Sequence, residues 1–277
     1  MDAMQWKWSL RMPTNNLTLP SLDNGMIAQL PIQLSIAKVA AENRFADGSA
    51  IVNTAEARTK YAWKLRYENL NQEEWQRFSE FLDTASRGSA SFTFFDPLGN
   101  LLAHSGDLLN DAWLRPSGLD VAPIADDQFE KAYILTNGTA QPLALSQTVT
   151  VSGAFRTCFS VAAKWSDPVL FSISQSGDGA IGENSVRIQE WAKHSVTLRG
   201  TESTESRAVN IVVPPTTQII VAEPQLEIAV VPGAYVESSQ QGGIFQRAWL
   251  SQKQIDLESK APNAHSFTLV IESVRKS

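Results

Sequence analysis

The glycines between Gly177 and Gly182 are the residues most suggestive of chemistry, because they fit the dinucleotide-binding pattern G-x-G-x-x-G. That pattern holds a pyrophosphate only where a strand precedes it and a helix N-terminus follows it. The residues that follow, Glu183 to Ile188, are strand-like and offer no helix dipole. The sequence therefore predicts a surface hairpin loop here and no nucleotide cofactor.

Metal-ligating and nucleophilic side chains are few and scattered. His104, His194 and His265 have no partners at the spacing of zinc ligands. Cys158 is the single cysteine and lies in the apolar run 155–163, so we expect a buried structural thiol. No nucleophile elbow occurs, and no pair of carboxylates is marked as an acid and a base. We expect no catalytic residue, no metal, no cofactor and no enzyme activity.

Composition excludes several classes of function. The 277 residues carry a formal charge of −6, which argues against a nucleic-acid partner. No apolar run approaches the roughly 18 residues of a membrane span, so we expect no membrane partner. The N-terminus lacks the charged and apolar regions of a signal peptide, so we expect folding in a cytoplasm.

The stretch from Tyr61 to Asn100 has the clearest pattern of elements. Every second residue of 63–67 is apolar, as in a half-buried strand. Asn71 and Glu74 have the spacing of a capping box, which begins a predicted helix over residues 71–86. An aromatic strand and an Asp-Pro turn follow the helix. The side chains expected in the core of this unit are Trp63, Trp75, Phe78, Phe92 and Phe94.

This stretch resembles the N-terminal frame of tailed-phage distal-tail and minor-tail proteins. Their shared pattern is an aromatic strand, a helix, a glycine and a Phe-rich strand that ends in Asp-Pro-x-Gly. The resemblance implies a structural protein of a phage or prophage tail tip, whose partners are other tail proteins and copies of itself in a ring, such as a hexamer. The matching residues are Trp63, Leu65, Tyr67, Leu70, Glu74, Phe78, Phe81, Gly88, Phe92, Phe94, Asp96, Pro97 and Gly99.

The charge distribution predicts two structural units. Residues 104–239 carry 8 basic and 15 acidic side chains, whereas residues 1–103 carry 10 and 11, and residues 240–277 carry 5 and 3. We therefore predict a frame of residues 1–103 plus 240–277, interrupted by an inserted module. The strand-like alternation of Ser266–Glu272 predicts pairing with a strand of residues 1–103. Gln5–Leu10 also alternates as an amphipathic strand does.

Residues 104–239 contain short β-type runs separated by Gly, Pro, Ser and Asn, which predict a β-sandwich. The fold class is therefore mainly β: an α+β frame with one helix, plus an inserted sandwich. The order of motifs resembles the carbohydrate-binding-module-like jelly rolls of glycoside-active enzymes and phage tail proteins. The motifs that carry this resemblance are Phe159–Lys164, Trp191, Val196–Leu198, Ala222–Glu227 and Tyr235.

Aromatic side chains are the remaining candidates for function, because exposed rings stack on the apolar faces of sugars. Trp165 lies in a predicted turn and Trp113 in a predicted loop, so we expect these two to contact a carbohydrate. Trp191 precedes a strand where the resembled family uses a packing residue, so we expect it in the core.

Three functions compete. The leading hypothesis is a structural protein of the virion tail, assembled in the bacterial cytoplasm, that aids adhesion to cell-surface polysaccharide. The alternative is a soluble, non-catalytic carbohydrate-binding protein. A glycoside-active enzyme is weaker, because little chain remains for a catalytic barrel.

Overall fold

The structure is a computed structural model that describes residues 17–45, 50–86, 91–152, 154–165, 169–177, 180–199, 204–240, 242–252, 254–261 and 263–276. The chain is mainly β, with three antiparallel sheets and, within these ranges, a single helix. This confirms the fold class that the sequence predicts. The predicted strand Gln5–Leu10 lies outside the described residues.

The described residues form one helix and fifteen strands, which divide into the elements of the frame and the strands that lie between its two halves in the sequence. The frame elements are β1 (Gln29–Arg44), β2 (Ala50–Leu70), α1 (Gln72–Ser86), β3 (Phe92–Phe95), β13 (Ile244–Leu250), β14 (Glu258–Ala261) and β15 (Ala264–Lys276). The elements between them are β4 (Leu119–Ile124), β5 (Ala132–Asn137), β6 (Leu143–Ser152), β7 (Arg156–Lys164), β8 (Val169–Gly177), β9 (Ala180–Ile188), β10 (Ala192–Arg199), β11 (Thr204–Val213) and β12 (Gln218–Glu227).

The frame is one sheet covered by α1. Its strand order is β1-β2-β15-β13-β3, with β14 paired to β15. Phe78 and Phe81 of α1 are buried against this sheet, where Phe78 meets Phe267 at 5.5 Å and Phe81 meets Phe92 at 5.0 Å between ring centroids. Packing of one apolar helix face on a sheet thus forms the core of the frame.

A capping box begins the helix as predicted. The side chain of Asn71 accepts a hydrogen bond from the backbone N of Glu74 at 2.9 Å. The carboxylate of Glu74 accepts one from the backbone N of Asn71 at 3.2 Å. Glu74 also accepts a hydrogen bond from the backbone N of Asp23 at 2.8 Å, so the same carboxylate ties the helix start to the preceding chain.

The strands β1 and β2 form a hairpin that extends past the sheet. Residue pairing between them continues to Arg44 and Ala50, whereas the pairing of β15 with β2 ends at Arg58. At about 3.3 Å per residue, the 16 residues of β1 span about 50 Å. β1 is also an edge strand, and its Ile36 and Val39 are 60% and 49% exposed.

The remaining strands form a sandwich of two sheets. The five-stranded sheet has the order β10-β7-β12-β5-β4, and the four-stranded sheet has the order β6-β11-β8-β9. Alternate residues of β7 face opposite sides, so that Phe159 and Val161 are fully buried between the sheets. Ala162 and Lys164 face outward from the five-stranded sheet. The outer face of that sheet is therefore available to carry a site.

Asn100 joins the two parts of the molecule. Its amide donates a hydrogen bond to the carbonyl of Pro224 at 2.9 Å and accepts one from the backbone N of Leu226 at 3.0 Å. The carbonyl of Asn100 accepts a hydrogen bond from the backbone N of Gly243 at 2.6 Å. Apolar residues of the frame and of the sandwich belong to one continuous core.

The predicted pairing of Ser266–Glu272 with a strand of residues 1–103 is confirmed. β15 pairs antiparallel with β2, with Leu269 opposite Leu65 and Ile271 opposite Trp63. The division into residues 1–103 plus 240–277 and residues 104–239 stays a prediction. Within the described ranges, no helix combines the length and the apolar character that crossing a bilayer requires.

Candidate functional site

The outer face of the five-stranded sheet carries the candidate site. Three alanines form its floor, namely Ala132 of β5, Ala162 of β7 and Ala222 of β12, and Phe129 and Trp191 pack over them. Small side chains leave the space above the strands that two aromatic rings need. Neighbouring strands of one sheet thus form a flat surface on which aromatic rings can pack.

Phe129 and Trp191 form an aromatic pair on this flat surface. Their ring centroids lie 4.4 Å apart, with an angle of 57° between the ring planes. The ammonium of Lys164 lies 4.8 Å from the centroid of the Trp191 ring, within the range of a cation–π contact. Both aromatic side chains are half-buried, so each keeps part of its surface in solvent.

The carboxylate of Asp126 lies beside the Phe129–Trp191 pair and accepts several hydrogen bonds there. Its carboxylate accepts hydrogen bonds from Nζ of Lys164 at 2.6 Å, from Nε1 of Trp191 at 3.3 Å and from the backbone N of Gln128 at 2.9 Å. The hydrogen bond from Lys164 is the main reason that the pKa of Asp126 is held below its ordinary value. The carboxylate is therefore ionised at neutral pH, and Trp191 is fixed in its orientation.

A pocket of about 290 Å³ adjoins the aromatic pair and shares Phe129 with it. The hydroxyl of Tyr235 lies 3.1 Å from that of Ser105, and Nζ of Lys131 lies 2.5 Å from the carboxylate of Glu237. Phenol, hydroxyl, carboxylate and ammonium groups therefore share one small concave surface. The lining residues are Ser105, Gly106, Phe129, Glu130, Lys131, Tyr133, Glu223, Pro224, Tyr235 and Glu237.

Local backbone geometry shapes this pocket. The pairing of β12 with β7 is interrupted by a bulge between Ala222 and Gln225. Glu223 lies in the bulge with a φ of 53°, a conformation that side-chain-bearing residues adopt rarely. Such bulges redirect a side chain away from the regular alternation of a strand. The bulge thus brings Glu223 to the pocket.

The protonation states in the pocket follow from its contacts. Burial raises the pKa of both Tyr133 and Tyr235, so their hydroxyls remain neutral. The hydroxyl of Tyr133 donates its hydrogen to the carbonyl of Gly106 at 3.0 Å. The hydrogen bond to Glu237 raises the pKa of Lys131, which keeps the ammonium charged. Neutral hydroxyl donors and charged acceptors close to an aromatic ring are groups that recognise the hydroxyls and the apolar face of a sugar.

The two predicted sugar contacts lie elsewhere. Trp113 is only 1% exposed, and its Nε1 donates a hydrogen bond to the carbonyl of His104 at 3.2 Å. Its ring is a core residue without a free face, which corrects the expectation of an exposed loop ring. Trp165 is half-buried and packs against the main core at the end of β7, and its role as a sugar contact stays a prediction.

The predicted core residues divide into two groups. Trp63, Phe78, Phe92 and Phe94 are fully buried. Trp75 and Trp191 are half-buried. Trp191 in particular lies half-buried on the outer face of the sheet, against the three alanines, so the expectation of a core position is corrected.

No local pattern in the sequence marks the residues that complete the site. Asp126 is separated from Lys164 by 38 positions and from Trp191 by 65 positions. Phe129 follows Asp126 in the β4–β5 connection, where a polar loop is the ordinary interpretation. Only the antiparallel pairing of β5, β12, β7 and β10 brings these segments together.

The other chemical motifs have structural roles. β8 and β9 pair as a hairpin up to Gly177 and Ala180, which fits the predicted hairpin loop and not a nucleotide site. Cys158 is buried, and burial raises the pKa of its thiol. Across the described part of the chain, no three His, Cys, Asp or Glu side chains cluster in a way that would hold a metal ion.

Comparison with known proteins gives distant structural likenesses. No family model and no curated protein matches this chain. The CBM22-1 xylan-binding domain from Paenibacillus barcinonensis is 12% identical at a TM-score of 0.37, with 52% of this chain and 99% of that domain covered. Two further structures each match about half of this chain. The matched part is about a quarter of the length of each of those two chains.

The first of these is a CBM22-1 and GH10 fragment of Clostridium thermocellum xylanase 10B complexed with xylohexaose, at 10% identity, a TM-score of 0.36, and 48% and 28% coverage. The second is the enzymatically active domain of bacteriophage CBA120 tailspike protein 4, at 12% identity, a TM-score of 0.35, and 49% and 22% coverage. At TM-scores below 0.5 these likenesses carry no argument about the ligand of this chain.

Proposed function

We propose that the outer face of the five-stranded sheet binds a neutral glycan and that the protein acts by adhesion. The observation that carries the proposal is the Phe129–Trp191 pair, fixed beside the carboxylate of Asp126 and next to a polar pocket. Aromatic faces stack on the C–H face of a sugar, while carboxylates and tyrosine hydroxyls bind its hydroxyl groups.

The charges of the pocket support a neutral ligand. Glu130, Glu223 and Glu237 line it together with a single cation, Lys131, which is already paired with Glu237. A uronic or sialic acid would bring another negative charge to this surface and would meet repulsion. A neutral oligosaccharide has no such penalty.

The electrostatics also support binding without cleavage. A glycosidase needs a carboxylic acid whose pKa is raised so that it can protonate the leaving oxygen. Asp126 has the opposite shift, since its pKa is lowered by Lys164, and the carboxylate of Glu237 is held by Lys131. We therefore expect no release of reducing sugar by the purified chain.

Replacement of single tryptophans tests the site. A glycan array followed by calorimetry identifies a ligand, and Trp191→Ala is expected to weaken its binding by a factor of about 2 to 13, because ring stacking contributes about 0.5–1.5 kcal/mol. Trp165→Ala, a change of the same size in another half-buried ring of the sandwich, tests the competing contact that the sequence predicts, and it should keep the affinity if the site lies at Trp191.

The opposite result, loss in Trp165→Ala and none in Trp191→Ala, would move the site to the end of β7. An array without any bound glycan would refute the proposal. Preferential binding of acidic glycans would refute its charge argument alone.

Assembly into a phage or prophage tail tip is a second candidate function, supported by a different observation. The long β1–β2 hairpin presents a strand edge on which no described strand pairs, together with the exposed side chains of Ile36 and Val39. Exposed edges of this kind pair with other chains, and head-to-tail pairing that closes gives a ring. The resemblance of residues 61–100 to distal tail proteins points in the same direction.

Light scattering at micromolar concentration tests assembly, with an oligomer as the expected result. The double variant Ile36→Lys/Val39→Lys places charge on the edge strand and should yield monomers, whereas Lys38→Ala, an exposed neighbour, should not. Negative-stain images of rings would favour a virion tail protein with tail-protein partners. A monomer that binds glycan would favour the non-catalytic carbohydrate-binding protein instead.

A further inference from the structure

The chain that leaves β12 folds back over the outer face of the five-stranded sheet, beside the candidate site. Residues 228–234, which we call the strap, run without regular secondary structure. The hydroxyl of Thr197 donates a hydrogen bond to the carbonyl of Val230 at 3.1 Å, and Nζ of Lys193 donates one to the carbonyl of Gly233 at 2.9 Å. Both donors belong to β10, so the strap lies against this strand.

The strap also contacts β12. The carboxylate of Glu227 accepts a hydrogen bond from the backbone N of Gly233 at 2.8 Å, and the amide of Gln225 donates one to the carbonyl of Ala234 at 3.1 Å. β7 lies between β10 and β12 in the sheet. The strap therefore crosses the outer face of β7.

Two small side chains of β7 lie where the strap crosses. Cys158 is opposite Thr197 and Glu227 in the strand pairing, and Ser160 lies two residues further along β7. Because Phe159 faces the core between the sheets, its neighbours Cys158 and Ser160 point to the outer face. Both are nevertheless fully buried. The strap is what covers them.

The contacts of the strap are of the kind that a bound polar ligand makes. Each of the four hydrogen bonds joins a side chain of the sheet to a backbone group of the strap. The side chains of Val230 and Val231 are 45% and 69% exposed and add little to the contact. Hydroxyl, ammonium, carboxylate and amide groups of the sheet are thus held by peptide groups, and sugar hydroxyls can donate to or accept from the same groups.

The strap is weakly attached to the sheet. None of its residues pairs with a described strand, and three of its four hydrogen bonds are exposed to solvent. Oγ of Ser160 is buried and has no hydrogen-bond partner among the residues that the structure describes, which disfavours the covered arrangement. Segments with few apolar contacts and exposed hydrogen bonds open locally while the rest of the protein stays folded.

The covered area is continuous with the candidate site. Lys193 stands two residues after Trp191, and Tyr235, the residue that follows the strap, lines the pocket that contains Phe129. An extended chain from Trp191 to Thr197 spans about 20 Å. A ligand that reaches from the aromatic pair to the covered area must therefore be a chain of several sugar units.

We propose that the strap is a displaceable cover that competes with a linear neutral glycan for the outer face of the five-stranded sheet. This inference rests on the proposed glycan site. With the strap closed, the face binds short glycans at the aromatic pair. With the strap displaced, a longer glycan takes over its contacts with Lys193, Thr197 and Glu227. Because only the open form binds the longer glycan fully, the strap lowers the apparent affinity for it.

The thiol of Cys158 reports on the strap, because it is the single cysteine of the chain. Its rate of reaction with dithiodipyridine is measured for the native chain, for Pro232→Gly and for Pro215→Gly. Pro232→Gly gives the strap more backbone freedom, and Pro215→Gly makes the same change in the connection between β11 and β12. We expect a reaction about two- to fivefold faster in Pro232→Gly and unchanged in Pro215→Gly.

Urea separates opening of the strap from unfolding of the whole chain. A local opening exposes little surface, so the reaction rate of the native chain should depend only weakly on urea, well below the midpoint of unfolding. A rate that follows global unfolding overturns the proposal. Equal rates in Pro232→Gly and Pro215→Gly overturn it as well.

An array of neutral oligosaccharides of two to eight units tests the competition. Pro232→Gly should bind the hexasaccharides and longer chains about two- to fivefold more tightly than the native chain does, with no change for disaccharides. Equal affinities for the long chains overturn the competition. A thiol that stays covered while glycans bind overturns the strap alone, whereas a faster thiol reaction without any bound glycan refutes the proposed glycan site and, with it, the role of the strap.

Discussion

Two tryptophan–aspartate pairs, one in the frame and one on the sandwich, use the same hydrogen bond in different surroundings. Nε1 of Trp63 donates to Oδ1 of Asp96 at 2.9 Å, and both side chains are buried. Nε1 of Trp191 donates to Oδ2 of Asp126 at 3.3 Å at the surface of the five-stranded sheet. The chemical groups are alike, and their environments assign them different roles.

The difference lies in what compensates the carboxylate charge. Burial is the main cause that raises the pKa of Asp96, although hydrogen bonds from Leu98 and Trp63 partly oppose it. Lys164 lies against Asp126 and lowers its pKa. The buried pair of Trp63 and Asp96 serves the packing of the frame, and the charge of Arg275 offsets only part of the effect of burial on the pKa of Asp96. The side chain of Asp126 is only 4% exposed and is ion-paired with Lys164, so its carboxylate serves to hold the half-buried ring of Trp191 in place.

The largest effect is expected from Trp63→Ala, which should lower the free energy of unfolding by about 4 kcal/mol. The ring is fully buried, with centroids 4.6 Å from Phe245 and 4.8 Å from Phe94, and its loss also removes a donor from Asp96. Urea denaturation followed by circular dichroism measures the change. Trp191→Ala is the matched surface variant and should cost about 1 kcal/mol; equal losses would contradict the comparison.

An intermediate effect of about 2 kcal/mol is expected from Trp75→Ala. Full burial of this ring would predict about 3–5 kcal/mol, but the ring is half-buried and its aromatic contacts are His265 and Phe267, both at 5.6 Å. The same urea experiment tests it, with Phe78→Ala as the fully buried control on the same helix. A loss as large as that of Phe78→Ala would mean that the partly exposed side of the Trp75 ring is covered in solution.

The smallest expected effects are on the pH dependence of the free energy of unfolding. Asp96 and Asp126 should contribute to that dependence with opposite signs. Because the folded-state pKa of Asp96 is raised, its contribution to stability is complete below the ordinary carboxyl pKa near 4 and is lost as pH rises through the raised value. Because the folded-state pKa of Asp126 is lowered, its contribution is present above about pH 4 and is lost as pH falls through the lowered value.

Asp96→Asn should therefore flatten the decline of stability at rising pH, and Asp126→Asn should flatten the loss at falling pH. Urea midpoints measured from about pH 3 to pH 7 for both variants and the native chain separate the two slopes. Slopes of the same sign would show that the surroundings of the two carboxylates do not differ as described.

The sequence alone predicts those features that depend on residues close together in the chain, such as a helix start or the buried face of a strand. Asn71 and Glu74 stand three residues apart, so their reciprocal hydrogen bonds and the start of the helix follow from spacing alone. The apolar alternation of 63–67 likewise predicted a strand with one buried face, and Trp63, Leu65 and Tyr67 are all buried. The mainly β fold class follows from many short runs of this kind.

Tertiary structure alone decided which aromatic residues are accessible. Trp113 follows a turn-rich stretch typical of an exposed loop, yet it is buried, whereas Trp191, expected in the core, lies on the outer face of a sheet. The exposure of a ring depends on which sheet face it meets and on which distant segments cover it. The four site residues meet only after the four strands β5, β12, β7 and β10 have paired in register, and no local period encodes that pairing. These residues are Asp126, Phe129, Lys164 and Trp191.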